Sequence, residues 1–285
     1  MIDSQDSVLR AITDDGGFRV MVAGTTATVR EIARLQQVSG AAARQLAELM
    51  TGTILVRETM APQYRVQGIL RGSGGRGSIV VDAHPDGTNR GLVRIAEGST
   101  EVEFGPDAML QVMRTLMSGQ IHQGVVSLEG SKSLSDALMK YMQTSEQVTS
   151  VIDVACQVEQ DRVVAAGGYL VQLLPEVAEP LLAVMTERLR LFDPVAKLLR
   201  EGKASPRDLV AELLYGMPHH ITGESALRFE CRCSHMRIMA GLSTLGRTEI
   251  ESLCTDGQAL EISCDFCGKQ YRVTPEHLRG LMAGN

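Results

Sequence analysis

No run of 18 or more apolar residues occurs in the 285-residue chain, so nothing in it is long enough to cross a bilayer as a helix. Positive charge is not in excess: 28 Lys and Arg stand against 34 Asp and Glu, a formal net charge of −6. With a pI near 5.6, the chain has no electrostatic footprint for nucleic acid or for an anionic membrane surface, and neither is expected as a partner. The opening Met1-Ile2-Asp3-Ser4-Gln5-Asp6 lacks the basic start of a secretory signal and the Arg-rich face of a transit peptide. A soluble cytoplasmic protein is therefore expected.

Catalytic signatures are missing too. There is no G-x-S-x-G, no H-E-x-x-H and no paired-carboxylate pattern, and His84, His122 and His277 are scattered without a nucleophile at any recognisable motif. His219-His220 is expected in a loop, and the chain is not expected to be an enzyme. The stretch Gly72-Ser73-Gly74-Gly75-Arg76-Gly77 has the glycines of a phosphate loop but neither its Lys-Ser or Lys-Thr nor a following helix. It runs into Ser78-Ile79-Val80-Val81-Asp82 and reads as a hairpin turn. Internal repeats and low-complexity segments are absent.

What is present is concentrated near the C-terminal end, where Cys231-Arg232-Cys233 is followed by Cys264-Asp265-Phe266-Cys267. On an extended segment a C-x-C points both sulfurs to one face, and a C-x-x-C does the same by curvature. Gly268 can adopt the positive φ that lets the backbone wrap around an ion. Two such grips make a tetrahedral thiolate site, for which zinc is the first choice and iron the main competitor. The bland alternative is four unrelated buried cysteines, which two close pairs in one tail disfavour. Spacing alone does not separate a permanent structural zinc from a releasable one. His235 adjoins the site, but four sulfurs already fill it, so a solvated helical position is expected there. Cys156 and Cys254 lie outside the pairs. Without a secretory signal, a metal or redox role fits this cysteine usage better than a secreted disulfide framework.

The pattern along the chain is α+β. A strand over 17–22 precedes helices over 29–37 and 41–60; short strands over 64–70, 78–82 and 89–94 follow, then strands over 109–117 and 123–128. A helix over 134–144 has Ser133 as its cap, and a hairpin over 148–174 turns at Gln160-Asp161. Gly167-Gly168 in its second arm marks a bulge or a close approach of another backbone, with packing favoured over a ligand site. The 14 methionines, Met109, Met113, Met117, Met139 and Met142 among them, are expected to fill core gaps.

Composition changes at Pro175. Residues 176–228 carry eight acidic and seven basic side chains among Leu, Val and Met, and Pro180, Pro194, Pro206 and Pro218 interrupt them. Helices are expected over 181–191 and from Ser205-Pro206 onward, too short to persist alone. Beyond Cys233, helices over 234–242 and 248–254, a hairpin of 259–263 with 270–273 around the second cysteine pair, and a helix from Thr274-Pro275-Glu276 complete the chain. The 55 residues from Cys231 hold six basic and six acidic groups, so four thiolates and one zinc would leave this module near −2, unlike a nucleic-acid zinc ribbon. The expected division is a core domain over 1–175, a helical linker over 176–228 and a zinc-binding module over 229–285.

The chain resembles the heat shock protein 33 family of redox-regulated holdase chaperones. The resemblance is carried by Cys231-Arg232-Cys233-Ser234, Cys264-Asp265-Phe266-Cys267 with Tyr271, Tyr141 with Ser145-Glu146-Gln147, Gln123-Gly124, and Ala165-Ala166-Gly167-Gly168 leading to Gln172-Leu173-Leu174-Pro175. It implies an ATP-independent chaperone that binds unfolding proteins, inactive with zinc on Cys231, Cys233, Cys264 and Cys267, and activated by disulfide formation, zinc release and linker unfolding. It also implies a dimeric active form. Cys156 and Cys254 are not among the family's four redox cysteines, and residues 97–104 look shorter than their counterpart. Because neighbouring thiols need little loop closure, Cys264–Cys267 and Cys231–Cys233 are the expected disulfides, with the more strained C-x-C ring forming later. Two readings from other classes compete: a zinc-ribbon interaction protein without redox switching, and a thiol oxidoreductase, which lacks the expected βαβ context.

Overall fold

The computed structural model describes residues 5–175, 177–255 and 257–283, and its packing divides them into two compact units with the boundary between Phe229 and Glu230. The first unit opens with β1 (Ser7–Thr13) and β2 (Phe18–Gly24), then α1 (Thr26–Gln36) and α2 (Gly40–Glu58). A β-rich stretch follows: β3 (Arg65–Arg71), β4 (Ser78–Ala83), β5 (Thr88–Arg94), β6 (Met109–Thr115) and β7 (Ile121–Ser127). Next come α3 (Leu134–Thr144) and the long hairpin β8 (Ser150–Glu159) with β9 (Arg162–Leu173). Three short helices, α4 (Glu179–Leu191), α5 (Val195–Arg200) and α6 (Pro206–Leu213), lead into β10 (His219–Ala226) and β11 (Arg228–Phe229).

Two sheets result. One has the order β10-β1-β2-β9-β8, all antiparallel; the other has the order β11-β5-β4-β3-β6-β7, antiparallel except for the β11–β5 pair. The first core lies between them. Here α2 is buried around most of its circumference, as a helix flanked by two sheets must be, with Leu46, Leu49, Met50, Ile54 and Leu55 excluded from water. The second core lies on the opposite face of the five-stranded sheet, where Leu9, Phe18, Val20, Val22, Tyr169 and Val171 pack against Met185, Val195, Leu198, Leu209, Val210 and Leu213 of α4 to α6. That sheet is therefore apolar on both faces, and the short helices are its cover.

Local signals account for much of this. Ser133 and Ser205 each accept a hydrogen bond from the N–H three residues on, Asp136 and Asp208, so both helices start where a capping side chain permits. The β8–β9 hairpin turns through Gln160 and Asp161, both at positive φ. A Cβ at Gly168 would stand 2.5 Å from the carbonyl oxygen of Asp153, and one at Gly167 2.8 Å from that of Ala23, so both positions admit only a hydrogen where the strands close up. Residues 72–77 form the β3–β4 turn, and Asp107 accepts hydrogen bonds from the Ser73 hydroxyl and the Gly74 N–H.

The structure departs from the sequence reading in several places. Strands β1, β10 and β11 were not expected, and His219-His220 sits at the start of β10 rather than in a loop. Strand β10 pairs antiparallel with β1, closing one edge of the five-stranded sheet. Met142 fills the core and Met109, Met113 and Met139 are half-buried, but Met117 lies beyond the end of β6 at the hairpin tip and is 81% exposed.

The second unit contains α7 (His235–Leu242), α8 (Arg247–Thr255), the hairpin β12 (Leu260–Ser263) with β13 (Gln270–Val273), and α9 (Pro275–Ala283). Ser234 caps α7 by accepting from the N–H of Arg237. Among the described residues its core has three buried apolar side chains, Ile250, Val273 and Leu278, ringed by half-buried ones. Modules of this size with so small a core commonly depend on a metal ion or disulfides to stay folded. The unit needs a further staple.

Candidate metal centre

The staple is built from two grips. Cys231 and Cys233 lie on the extended segment before α7, and Cys264 and Cys267 lie in the knuckle joining β12 to β13. In the knuckle the N–H groups of Cys267 and Gly268 both donate to the carbonyl of Cys264, at 3.2 and 2.7 Å, and the Cys264 N–H donates to Lys269. Gly268 has φ of 72°, the left-handed conformation that the turn demands and the sequence anticipates. The hairpin register, Ser263 opposite Gln270 and Ile262 opposite Tyr271, holds the knuckle's base.

The four sulfurs lie within 4.8 Å of one another. Cys231 Sγ is 3.7 Å from Cys264 Sγ, and Cys233 Sγ is 3.5 Å from Cys267 Sγ. A tetrahedral zinc with bonds of about 2.3 Å requires sulfur–sulfur edges of about 3.8 Å, close to these values, whereas a disulfide requires about 2.05 Å. All six cysteines are free thiols. The donor set thus fits a four-coordinate ion that prefers sulfur, and four cysteines leave such an ion no open position for substrate.

Without a metal's charge the cluster distributes protons unevenly. Burial pushes the Cys233 thiol up, but hydrogen bonds from the Tyr271 hydroxyl and the other three cysteines outweigh it and bring Cys233 down to about 7. Cys267 is pushed up to about 12, by burial first and then by its hydrogen bonds to Cys233, Cys231 and Cys264, against a lowering hydrogen bond from the Lys269 N–H. Burial also raises Cys231. The geometry therefore favours one thiolate held by surrounding thiols, and metal binding must displace the remaining protons.

His235 stands at the first turn of α7, edge-to-face against His277 with ring centroids 5.1 Å apart, and is not part of the sulfur cluster. Cys156 sits on β8, half-buried, its thiol pushed up to about 12 by burial and by the neighbouring Glu48 carboxylate. Cys254 lies on α8 with Sγ 3.9 Å from the Pro275 carbonyl oxygen. The sequence reading attached no role to Tyr271, whose hydroxyl is 3.0 Å from Cys233 Sγ. Its position four residues after Cys267, on the returning strand of a metal knuckle, is the signal available. Tyr141, Ser145, Glu146 and Gly124 converge on one small cleft in the first unit, where the Tyr141 hydroxyl donates to Glu146 at 2.5 Å and Arg114 pairs with Glu146 at 2.8 Å.

Fold and site together define an α+β protein whose small C-terminal unit is organised by a four-cysteine cluster that can hold a metal ion. A sequence model of the family described as Hsp33 protein matches residues 6–274. The 33 kDa chaperonin of Syntrophotalea carbinolica is 32% identical over 98% of this chain and 100% of its own length, and that of Synechocystis sp. is 34% identical over 97% and 96%. The crystal structure of a 33 kDa chaperonin, a heat shock protein 33 homolog from Thermotoga maritima, superposes with a TM-score of 0.82 at 21% identity and covers 98% of both chains. The chain belongs to the Hsp33 family.

Proposed function

We propose that this protein is a redox-regulated, ATP-independent holdase chaperone that captures unfolding proteins under oxidative stress. Family membership supports a chaperone that binds unfolded clients. The observation that carries the finer reading is the pairing of a metal-dependent unit with an apolar sheet face covered only by short helices.

In the reduced, inactive form Cys231, Cys233, Cys264 and Cys267 hold zinc. When bound, zinc supplies the positive charge that keeps all four sulfurs as thiolates, the form that attacks peroxide. Each disulfide then forms as two thiolates lose two electrons to one hydrogen peroxide, which takes up two protons and leaves as two waters. A sulfur in a disulfide no longer ligates usefully, so oxidation of Cys264–Cys267 and Cys231–Cys233 removes the ligands and with them the staple of a unit whose own core is too small to hold it.

The backbone carries the consequence. Cys231 follows Phe229 of β11 by two residues, so the metal site anchors the end of the chain that forms β11 and β10. Loss of that anchor frays β10, an edge strand, and then α4 to α6, uncovering Leu9, Phe18, Val20, Val22 and Val171. In functional terms the division is a client-binding core over 1–175, a cover over 176–228 and a switch over 229–285, acting in the cytoplasm. The same surface would support the dimer of the oxidised form. Leu182, Val184 and Leu191 of α4 already face solvent, so the buried partners of α4 to α6 and the sheet beneath carry the change.

The test measures metal content and suppression of client aggregation on one sample before and after peroxide. One zinc per reduced chain, lost as suppression appears, is expected. Zinc retained throughout with no change in suppression identifies a static zinc module and overturns the reading.

A further inference from the structure

We propose that the recess between the tip of the β8–β9 hairpin and the α1–α2 turn binds a small organic anion, a phosphate or carboxylate head on an apolar or aromatic body. The recess has a volume of about 670 Å³ and lies wholly within the first unit. Its floor is apolar: Ala33, Ala43 and Val163 are buried and Val38 is half-buried. Its rim carries Arg30, Arg34 and Arg162 against a single carboxylate, Asp161, in a chain whose acids outnumber its bases. Two of the arginines are held in place before any ligand arrives. Arg30 donates through Nε and one terminal nitrogen to the carbonyls of Val163 and Val164, at 3.1 and 3.4 Å, and its other terminal nitrogen stays free. Arg34 is fixed by two hydrogen bonds to Glu31, at 2.8 and 2.7 Å, which also offset its charge. Arg162 has no side-chain partner among the described residues. Arg30 and Arg162 therefore supply most of the attraction for an oxyanion, and guanidinium groups suit the paired oxygens of phosphate and carboxylate.

The backbone around the recess points the same way. Gln37, after the end of α1, has φ of 54°, and Asp161, in the hairpin turn, has φ of 61°. Glycine would adopt both conformations without strain, yet the chain keeps polar side chains there, and both line the recess. Neither side chain makes a hydrogen bond among the described residues, and the Ser39 hydroxyl beside them does not cap α2. The recess thus combines pre-positioned cations, a dry floor and unpaired polar groups, the mixture expected of a small-molecule site rather than of a site for an inorganic ion. Asp161 is left to accept from a hydroxyl or amine on the body. A molecule seated there bridges the β8–β9 hairpin to the α1–α2 turn, so its binding also steadies the first unit.

The experiment titrates the reduced full-length protein by calorimetry with naphthyl phosphate, which has both head and body, with naphthol, which lacks the head, and with inorganic phosphate, which lacks the body. Saturable binding of naphthyl phosphate at one per chain is expected, about ten-fold or more tighter than either fragment. Arg162→Glu removes a rim cation that holds nothing in the fold, and should weaken naphthyl phosphate about ten-fold with thermal unfolding of the free protein unchanged. Arg76→Glu, an equal change of charge on the exposed β3–β4 turn, should leave the affinity as it is. Hydrogen exchange with the ligand bound should slow over residues 37–43 and 158–164. Absence of saturable binding overturns the inference, as does naphthol binding as tightly as its phosphate. Equal losses in Arg162→Glu and Arg76→Glu, or protection gained elsewhere than at the hairpin tip and the α1–α2 turn, overturn it too. None of these outcomes involves the cysteines, so the redox reading stands or falls separately.

Discussion

The carboxylate of Asp153, in the middle of β8, accepts a 2.8 Å hydrogen bond from the backbone N–H of Val195 at the first turn of α5. A core strand is thereby tied to a cover helix by a partly buried polar contact, beside the exposed Arg207–Glu224 ion pair that links α6 to β10. Burial raises the Asp153 carboxyl above its ordinary range, and the bond from Val195 offsets part of that cost. In Asp153→Ala the N–H of Val195 loses its partner. The cover is expected to loosen by about 1–3 kcal/mol in the reduced protein. Hydrogen exchange should show reduced protection over residues 179–213 with β3 to β7 unaffected, accompanied by partial aggregation suppression without oxidant. Unchanged protection over 179–213 would show that apolar packing alone holds the cover.

Glu48, on α2, gives a stability change with pH. Burial raises its carboxyl to about 7, with Asp153 and Glu101 adding repulsion against the relief from Arg44. The folded state thus binds a proton that the unfolded chain, with an ordinary carboxyl near 4.5, has already released. Stability from this group is full below about 4.5 and is lost as pH rises through about 7. Glu48→Gln keeps the shape without the titration. It should flatten the pH profile between 4.5 and 7 and be more stable than the parent at pH 8 by about 1–3 kcal/mol, measured by denaturant unfolding of the reduced, zinc-loaded protein. A variant with the parent's slope would place the pH dependence elsewhere.

Gly168 tests the closeness of β8 and β9. With only 2.5 Å between a prospective Cβ and the carbonyl oxygen of Asp153, Gly168→Ala must push the strands apart, at a cost of about 1–3 kcal/mol. The change falls on the sheet that carries both cores. Thermal unfolding should drop by several degrees, while Gly280→Ala, where a Cβ meets nothing within 4 Å, should not affect the first unit.

These residues also show what a sequence discloses. Ser133, Ser205 and Ser234 are readable as caps because capping is settled within four residues. The cysteine pairs are readable because their spacing encodes a grip, and Gly268 because a knuckle needs its φ. Strand β10 is not: His219–Ala226 is polar and half-exposed, and it becomes a strand only because β1, at the other end of the unit, offers it an edge. The facing of Cys231 with Cys264, and of Cys233 with Cys267, likewise depends on how two distant segments dock. The hydroxyl of Tyr271 reaches its sulfur for the same reason.

The switch itself is best tested by where protection is lost. Helices α4 to α6 are short and interrupted by Pro194 and Pro206, and they depend on the sheet for stability. Strand β10 has a neighbour on one side only and leads within a few residues to Cys231. Oxidation should therefore abolish exchange protection over residues 219–229 and 179–213 together, leave α2 and α3 protected, and raise hydrophobic dye binding in proportion to zinc lost. Tethering β10 to β1 by a disulfide between cysteines placed at Leu9 and Glu224, which are directly paired, should retain the cover's protection after peroxide and cut aggregation suppression severalfold, although zinc still leaves. Full suppression with residues 179–226 as protected as in the reduced protein would mean that clients bind elsewhere and that uncovering this sheet is not the switch.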